Sequence, residues 1–211
     1  MTRAWLTLAA VLISTIASAQ DTPKVGVTIS APSAIGIVWQ IADRIAVRPE
    51  ITLSRNSAES SQNDPVGSAL VTSDDSYAVG AGIGALFYVG RWDALRTYLL
   101  PRFSYTRSST SAAINNNSIL GPTSSESRSS SYQTSGSFGG QYTFGRHFGL
   151  FGELGLAYAR TNATASTTFT TTVTTLSGGV ITQTSRVQTT GSTTRSNTVG
   201  TRSAVGVIIY F

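Results

Sequence analysis

The sequence predicts an all-β fold: an eight-stranded antiparallel transmembrane β-barrel of the up-and-down type, with short turns at one end and long loops at the other. Three observations predict it. Apolar residues alternate with small or polar residues along several runs, as they do along strands with one apolar face. Tight turns separate these runs in pairs. The final run has two distinct faces, one apolar (Val205, Val207, Ile209, Phe211) and one small or charged (Arg202, Ala204, Gly206).

The amino-terminal segment has the plan of a secretory signal peptide. Arg3 supplies a positive charge, an apolar run covers residues 4–16, and small residues precede Gln20. The apolar run is shorter than the roughly 20 residues that a spanning helix requires. We therefore expect residues 1–19 to be a signal peptide cleaved between Ala19 and Gln20, and residues 20–211 to form the exported domain.

The composition excludes several classes of chemistry. The chain has no cysteine and a single histidine, which rules out disulfides and thiolate sites and disfavours a histidine metal centre. We therefore expect no metal and no cofactor. The formal net charge of +5 would suit a nucleic-acid ligand, but the basic residues are scattered singly, and we expect no nucleic-acid partner.

The positions of the turns set the strand count. Tight turns are expected at residues 42–44, 90–95 and 145–147, and each joins two alternating runs; with the C-terminal run this gives seven strands. Because single-chain membrane barrels usually close with an even number of strands, residues 24–30 are predicted to be a short first strand, followed by a turn at 31–33. The alternative is one kinked strand over residues 24–41, which would give a seven-stranded or oligomeric sheet.

Aromatic residues recur at a spacing that fits a membrane. Tyr77 and Phe87, and likewise Phe148 and Tyr158, stand ten residues apart on the apolar faces of their runs. Ten strand residues tilted by about 40° rise about 25 Å, the height of the apolar band of a membrane barrel. The pattern predicts two aromatic girdles, although long strands of a soluble sandwich are an alternative.

Three polar segments separate the hairpins: residues 56–74, 108–130 and 161–197. They contain few large apolar residues, so we expect long loops on the side opposite the tight turns. The third is rich in threonine and lacks proline. Its β-propensity predicts strands that extend beyond the membrane as a hairpin, with a disordered linker as the alternative.

Five charged residues fall on the inward faces of the runs: Arg48, Glu50, Arg102, Glu153 and Arg202. The lumen of an eight-stranded barrel is just wide enough for side chains to fill it. Since buried charges need partners, we expect one ion network that plugs the lumen. The alternative is a narrow gated channel that opens when the arginines exchange carboxylate partners.

Prolines and glycines accompany these charges. Pro49 and Pro101 lie beside two of the arginines, and a bulge or local break is expected at each because proline removes a ladder donor. Small inward residues at Gly80, Gly82 and Gly84 are expected to leave room for the long side chains.

The plan of this chain resembles the outer-membrane β-barrel family that includes OmpA-type barrels, OmpX and the opacity proteins. The resemblance rests on the export signal, the hairpin rhythm and the C-terminal strand ending in Phe211. It implies a place in the bacterial outer membrane, with turns in the periplasm, loops outside, and lipid and lipopolysaccharide as partners. It also implies that Val205, Val207, Ile209 and Phe211 form the signal read by the barrel-assembly machinery.

The expected function is non-enzymatic. Enzymes with this architecture use a histidine-containing constellation at the outer face, whereas the single histidine, His147, lies in a predicted periplasmic turn. We expect a structural role in the envelope and binding of an extracellular partner through the Ser/Thr-rich loops. The alternatives are a narrow passive channel and a soluble periplasmic binding barrel resembling lipocalins. The latter needs an apolar lumen, and the predicted inward residues are charged and small.

Overall fold

The computed structural model describes residues 25–32, 34–63, 69–116, 120–145, 147–177 and 180–211. They form one closed antiparallel barrel in sequence order, with the strands β1 Val25–Ala31, β2 Ala34–Ala42, β3 Ile45–Asn63, β4 Ala69–Trp92, β5 Leu95–Asn116, β6 Leu120–Phe144, β7 Phe148–Ser177 and β8 Val180–Tyr210. Within these residues, no helix has the length and hydropathy needed to cross a bilayer. The predicted signal peptide and its cleavage site at Ala19 and Gln20 lie outside the described residues.

The predicted eight-stranded barrel is confirmed, and so is its separate first strand. β1 and β2 pair as an antiparallel hairpin, with Val25 opposite Trp39 and Ser30 opposite Ala34. β1 also pairs with β8, which closes the ring. A single kinked strand over residues 24–41 is therefore wrong.

The alternation predicted from the sequence sets the two faces of the wall. The outer face carries large apolar side chains that are 36% or more exposed, among them Ile35, Ile37, Trp39, Ile51, Tyr77, Val79, Ile83, Phe87, Leu99, Phe103, Tyr132, Phe138, Phe148, Leu154, Leu156, Tyr158 and Val205. Their neighbours in sequence point into the lumen. The barrel therefore has an apolar exterior around its closed part.

The tight turns lie together at one end of the barrel, which we call the turn end. They join β2 to β3 at residues 43–44 and β4 to β5 at 93–94, and Gly145 and His147 lie between β6 and β7. Asp93 and Gly145 have positive φ angles of 48° and 63°, which aspartate tolerates and glycine adopts freely. We call the opposite end, where β3–β4, β5–β6 and β7–β8 connect, the hairpin end.

The segments 56–74 and 108–130, expected to be loops, are mostly strand. β3 continues to Asn63, β5 continues to Asn116, and the ladder runs through Ala58–Asp74 and Ala112–Ser125 pairs. The expectation was wrong because backbone pairing needs no apolar face, and small Ser, Thr and Ala side chains fit a ladder that has no apolar face. The predicted extension of the Thr-rich tract is confirmed, since β7 and β8 pair continuously from Phe148–Ile209 to Ser177–Val180.

The strands differ in length, and this leaves two free edges at the hairpin end. β1 and β2 have 7 and 9 residues, whereas β8 has 31. β1 reaches only Val205 of β8, and β2 reaches only Thr52 of β3. Among the described residues, 53–63 of β3 and 180–204 of β8 therefore have a strand partner on one side only; we call the latter the β8 edge.

The prolines interrupt the ladder without shifting it. Gly36 faces Glu50 and Trp39 faces Val47, so the β2–β3 register is the same on both sides of Pro49. The register of β5 against β6 likewise runs unchanged through Pro101. Of the two expected outcomes, the local break is present and the bulge is absent, because the β2 partners of residues 48 and 49 and the β4 partners of residues 100 and 101 are missing while the register on either side is the same. The β2–β3 register shifts near the turn end, between residues 40 and 42. Arg48 and Glu50 therefore keep their inward positions on either side of Pro49.

Candidate functional site: the lumen network

The structure brings all five of the charged residues predicted to point inward together in one chain of ion pairs. Positive and negative side chains alternate along it, in the order Arg202, Glu153, Arg48, Glu50, Arg102. The N–O distances from one end to the other are 3.1, 2.6, 2.6 and 2.5 Å. We call these five residues the lumen network. It ties β3, β5, β7 and β8 together through the interior of the barrel.

Each carboxylate of the lumen network holds two guanidinium groups. Glu50 contacts Arg48 through Oε1 and Arg102 through Oε2. Glu153 contacts Arg48 through Oε1 and Arg202 through Oε2, and the Tyr98 hydroxyl donates a hydrogen bond of 3.0 Å to Oε1 of Glu153. Both carboxylates are nearly inaccessible to solvent. Opposite charges at this depth offset each other's desolvation only when the geometry is close, as it is here.

Arg48 is the centre of the network and is 1% exposed. Besides its two carboxylates, its guanidinium carbon lies 5.1 Å from the ring centroid of Phe151, a cation–π distance. A side chain at position 206 would collide with that ring, because a Cβ there would lie 2.6 Å from Cζ of Phe151. Gly206 therefore provides the space that Phe151 occupies beside Arg48.

Other glycines make room for the lumen side chains, but of the three predicted to do so only Gly82 lies against the network. Gly80 faces the hydroxyls of Thr52 and Thr106, and Gly84 faces Leu100. A Cβ at Gly82 would lie 3.3 Å from Nη2 of Arg102, and one at Gly36 would lie 2.9 Å from Cγ of Glu50. A Cβ at Gly139 would lie 2.5 Å from the Tyr98 ring. The long side chains of the lumen thus lie over glycines on neighbouring strands.

A layer of bulky side chains fills the lumen between the network and the turn end. Its buried members form two clusters, Val38, Ala46, Leu86, Tyr98 and Leu100, and Phe151, Ile208 and Tyr210. This layer contradicts the expectation that the inward residues are only charged and small. The alternation along the strands does place these residues inward. Each is separated by an even number of positions from a charged or small residue that points inward on the same strand.

Polar groups within this layer are paired with one another. The Gln141 side-chain amide donates a hydrogen bond of 2.7 Å to the Tyr210 hydroxyl, and Tyr88 donates one of 3.4 Å to Oε1 of Gln141. Tyr88 also packs edge-to-face on Tyr98, with ring centroids 5.8 Å apart. The bulky layer and the lumen network are thereby joined, because Tyr98 belongs to the layer and hydrogen-bonds Glu153 of the network.

On the other side of the network, toward the hairpin end, the inward side chains become small and hydroxylated. Ser108 and Ser129 lie 2.7 Å apart through their hydroxyl oxygens, and Thr161 donates a hydrogen bond of 3.0 Å to Ser131. Ser104 is buried closer to the network. The lumen therefore changes from bulky and apolar at the turn end, through a charged layer, to a hydroxyl-lined mouth.

This barrel architecture occurs in a solved structure. A major outer membrane protein from Thermus thermophilus is 14% identical, its similarity covers 90% of this chain and 100% of that chain, and the TM-score is 0.52. At this identity the likeness concerns the fold alone. CarO and CarO2 of Acinetobacter baumannii, 13% and 12% identical over 92% of this chain and 100% of theirs, have TM-scores of 0.40 and 0.41, and nothing further rests on them. No protein-family model and no curated protein matches the sequence.

The remaining residues singled out in the sequence lie away from the network. Val205, Val207, Ile209 and Phe211 lie on the outer face of β8, and the Phe211 amide donates a hydrogen bond of 3.0 Å to the Val25 carbonyl. His147 is exposed in a turn at the turn end. Among the described residues, no three His, Asp or Glu side chains are placed to share a metal ion.

Proposed function

We propose that this chain is a non-enzymatic protein of the bacterial outer membrane, with a plugged lumen and with hairpins that project from the cell surface and bind a partner there. The observation that carries the proposal is the β7–β8 hairpin. Beyond the closed ring, residues 181–201 of β8 are exposed on both faces, and the β8 edge has a strand partner on one side only among the described residues. A hairpin of this kind adds nothing to the barrel interior, so a role outside it is the simplest reason for its length.

The apolar exterior supports the membrane location. Side chains such as Leu154 and Leu156 are 66% and 64% exposed and have no protein to cover them among the described residues. A closed barrel satisfies its backbone hydrogen bonds internally, which is what a lipid environment demands. We propose that lipid covers this face and that lipopolysaccharide surrounds the hairpin end, as in the OmpA-type family that the sequence resembles.

The filled lumen supports a plug. Arg48, Tyr98 and Leu86 are each about 1% exposed or less, so side chains occupy the cross-section at the network and in the bulky layer. We expect the purified protein in a planar lipid bilayer to show no steady single-channel conductance. Large and persistent conductance would contradict a plug.

A gated narrow channel is the second candidate, and one observation favours it. Glu50 and Glu153 each contact two arginines. If one arginine moved away from such a carboxylate, the carboxylate would still be paired with the other arginine. Brief, rare openings that become frequent in an Arg202→Gln variant would favour the channel, and silence in both proteins would favour the plug.

The β8 edge indicates the kind of surface partner. An exposed strand edge offers a row of unpaired backbone donors and acceptors to another extended chain. We propose that an extended polypeptide outside the cell adds to this edge. The hairpin can be shortened in register, because Thr164 faces Thr193: replacing residues 165–192 with an Asn-Gly turn removes the distal half of the edge and keeps the ring.

The shortened variant tests the surface role. We expect it to fold with the same heat-modifiable gel mobility as the parent protein, and cells displaying it to lose adhesion to peptide-coated or host-cell surfaces that the parent binds. Equal adhesion by both proteins would contradict the proposal.

The orientation can be tested separately because the chain contains no cysteine. We expect Val187→Cys, in the hairpin, to react with a membrane-impermeant maleimide on intact cells. Asp43→Cys, in a tight turn, should react only after the outer membrane is permeabilised. The reverse labelling pattern would place the turns outside.

A further inference from the structure

The two ends of the lumen network meet at one cavity. Arg102 and Arg202 both line a cavity of about 210 Å³ on the hairpin side of the network. Each of these arginines contacts one carboxylate, whereas Arg48 contacts two. The remaining donors of the two terminal guanidiniums are therefore not used by the network.

The charge around this cavity is unbalanced. The network contains three guanidinium groups and two carboxylates, which leaves a formal excess of one positive charge within it. The described residues that line the cavity include both arginines and no acidic side chain. In a medium of low dielectric constant an excess charge is costly unless a counter-charge lies close to it.

Arg102 also has an unsatisfied donor. Its side chain is 9% exposed, and its Nε is buried without a hydrogen-bond partner. Buried polar groups in folded proteins are nearly always paired, so an orphaned guanidinium donor beside a cavity indicates a missing acceptor. The other lining groups add donors, because Thr52, Ser104 and Thr106 contribute hydroxyls.

We propose that this cavity binds a small oxyanion, a phosphate group, between Arg102 and Arg202. Guanidinium forks and hydroxyl groups are the donors that phosphate oxygens prefer. At about 30 Å³ per water, the cavity holds roughly seven waters, which is enough for a phosphate group with part of its hydration and too little for a drug-sized ligand. The proposal needs only the folded barrel, so it stands apart from the surface role proposed above.

The test is calorimetric titration of the folded full-length barrel in a non-ionic detergent. We expect sodium phosphate to bind saturably at one site, and sodium chloride at equal ionic strength to give no such site. Arg202→Gln should weaken phosphate binding by about tenfold or more, since a charge-assisted hydrogen bond is lost. Arg55→Gln, which removes an exposed arginine paired with Asp75, should leave binding unchanged.

A second variant keeps the proposal testable if loss of Arg202 impairs folding. Thr106→Val removes a lining hydroxyl and no ion pair, and we expect it to weaken phosphate binding a few-fold. Absence of phosphate binding above the chloride control, or equal affinity in Thr106→Val and the parent, would overturn the proposal.

The source of the phosphate group can be distinguished in vesicles. If a lipid headgroup occupies the cavity, phosphatidic acid in phosphatidylcholine vesicles should compete with added inorganic phosphate. If the free ion is the ligand, phosphatidic acid should leave its affinity unchanged.

Discussion

Arg48 and Glu153 meet across the barrel, with Nη1 of Arg48 on β3 lying 2.6 Å from Oε1 of Glu153 on β7. These strands are four places apart in a ring of eight and so lie opposite each other. The contact fixes two walls that share no backbone pairing. The other ion pairs extend this connection to β5 and β8.

Removing one carboxylate from this contact should be strongly destabilising. Glu153→Gln leaves Arg48 with one carboxylate and Arg202 with none, and it weakens the acceptor of the Tyr98 hydroxyl. We expect a loss of about 3–5 kcal/mol in the free energy of unfolding, the usual result of breaking a buried ion pair from one side. Urea unfolding in lipid vesicles, followed by tryptophan fluorescence, measures it.

Glu126→Gln is the matched control. Glu126 pairs with Arg128 at 2.6 Å, but both side chains are about half exposed or more. An exposed pair contributes about 1 kcal/mol or less. If both variants lost the same free energy of unfolding, the Glu153 ion pairs would contribute no more to stability than a surface ion pair.

Gly139→Ala should disturb the same region by overpacking. The new methyl group would lie 2.5 Å from the Tyr98 ring, which itself hydrogen-bonds Glu153. We expect a loss of about 1–3 kcal/mol in the free energy of unfolding. Gly136→Ala on the same strand, where a Cβ meets nothing within 4 Å, should change it by about 0.5 kcal/mol or less. Equal effects would mean that the Tyr98 ring moves aside without cost.

The proposed lipid-facing surface can be tested with two equally exposed positions. Leu154 and Val187 are 66% and 68% exposed, the first on the closed ring and the second in the β7–β8 hairpin. Leu154→Arg should cost about 2–4 kcal/mol in vesicles, because it places a guanidinium in the hydrocarbon layer. Val187→Arg should be nearly neutral, since the proposed arrangement puts that position outside the membrane. A neutral Leu154→Arg would contradict a lipid-covered belt.

Phe211 should matter for assembly in the cell more than for the folded barrel. Its side chain is 80% exposed, so Phe211→Ala should change the free energy of unfolding of the purified protein by about 0.5 kcal/mol or less. In cells, we expect the folded fraction in the outer membrane to fall, because the resemblance to outer-membrane barrels implies that this residue is part of an assembly signal. Leu176→Ala, 70% exposed in the hairpin, is the control. Unchanged assembly in Phe211→Ala cells would contradict that role.

The closed part of the barrel is predictable from the sequence because alternation is a local property. It places Arg48 and Glu50 inward on one strand and Leu154 outward on another without any knowledge of the rest of the chain. Which inward residues contact one another depends on the stagger between strands, and the sequence of a single strand does not determine that stagger. The contact of Tyr98 with Glu153 is of this second kind, and no local pattern in the sequence signals it.

The ends of the long strands could not be predicted for a different reason. Residues such as Ser108 and Ser129 pair along a ladder whose side chains are small or polar on both faces, so the sequence carries no apolar alternation there to mark a strand. A polar tract in an extended ladder and a polar tract in a loop have the same composition. Of the three polar segments, only the Thr-rich tract could be predicted to form strands, because its residues have high β-propensity.

The unequal strand lengths divide the molecule into a part that must keep its sequence and a part that is free to vary. Ring closure uses β8 only from Val205 onward and β3 only as far as Thr52. Substitutions or length changes in the distal ladder alter no contact that closes the ring. The distal hairpins can therefore be lengthened, shortened or exchanged for others without rebuilding the barrel that carries them.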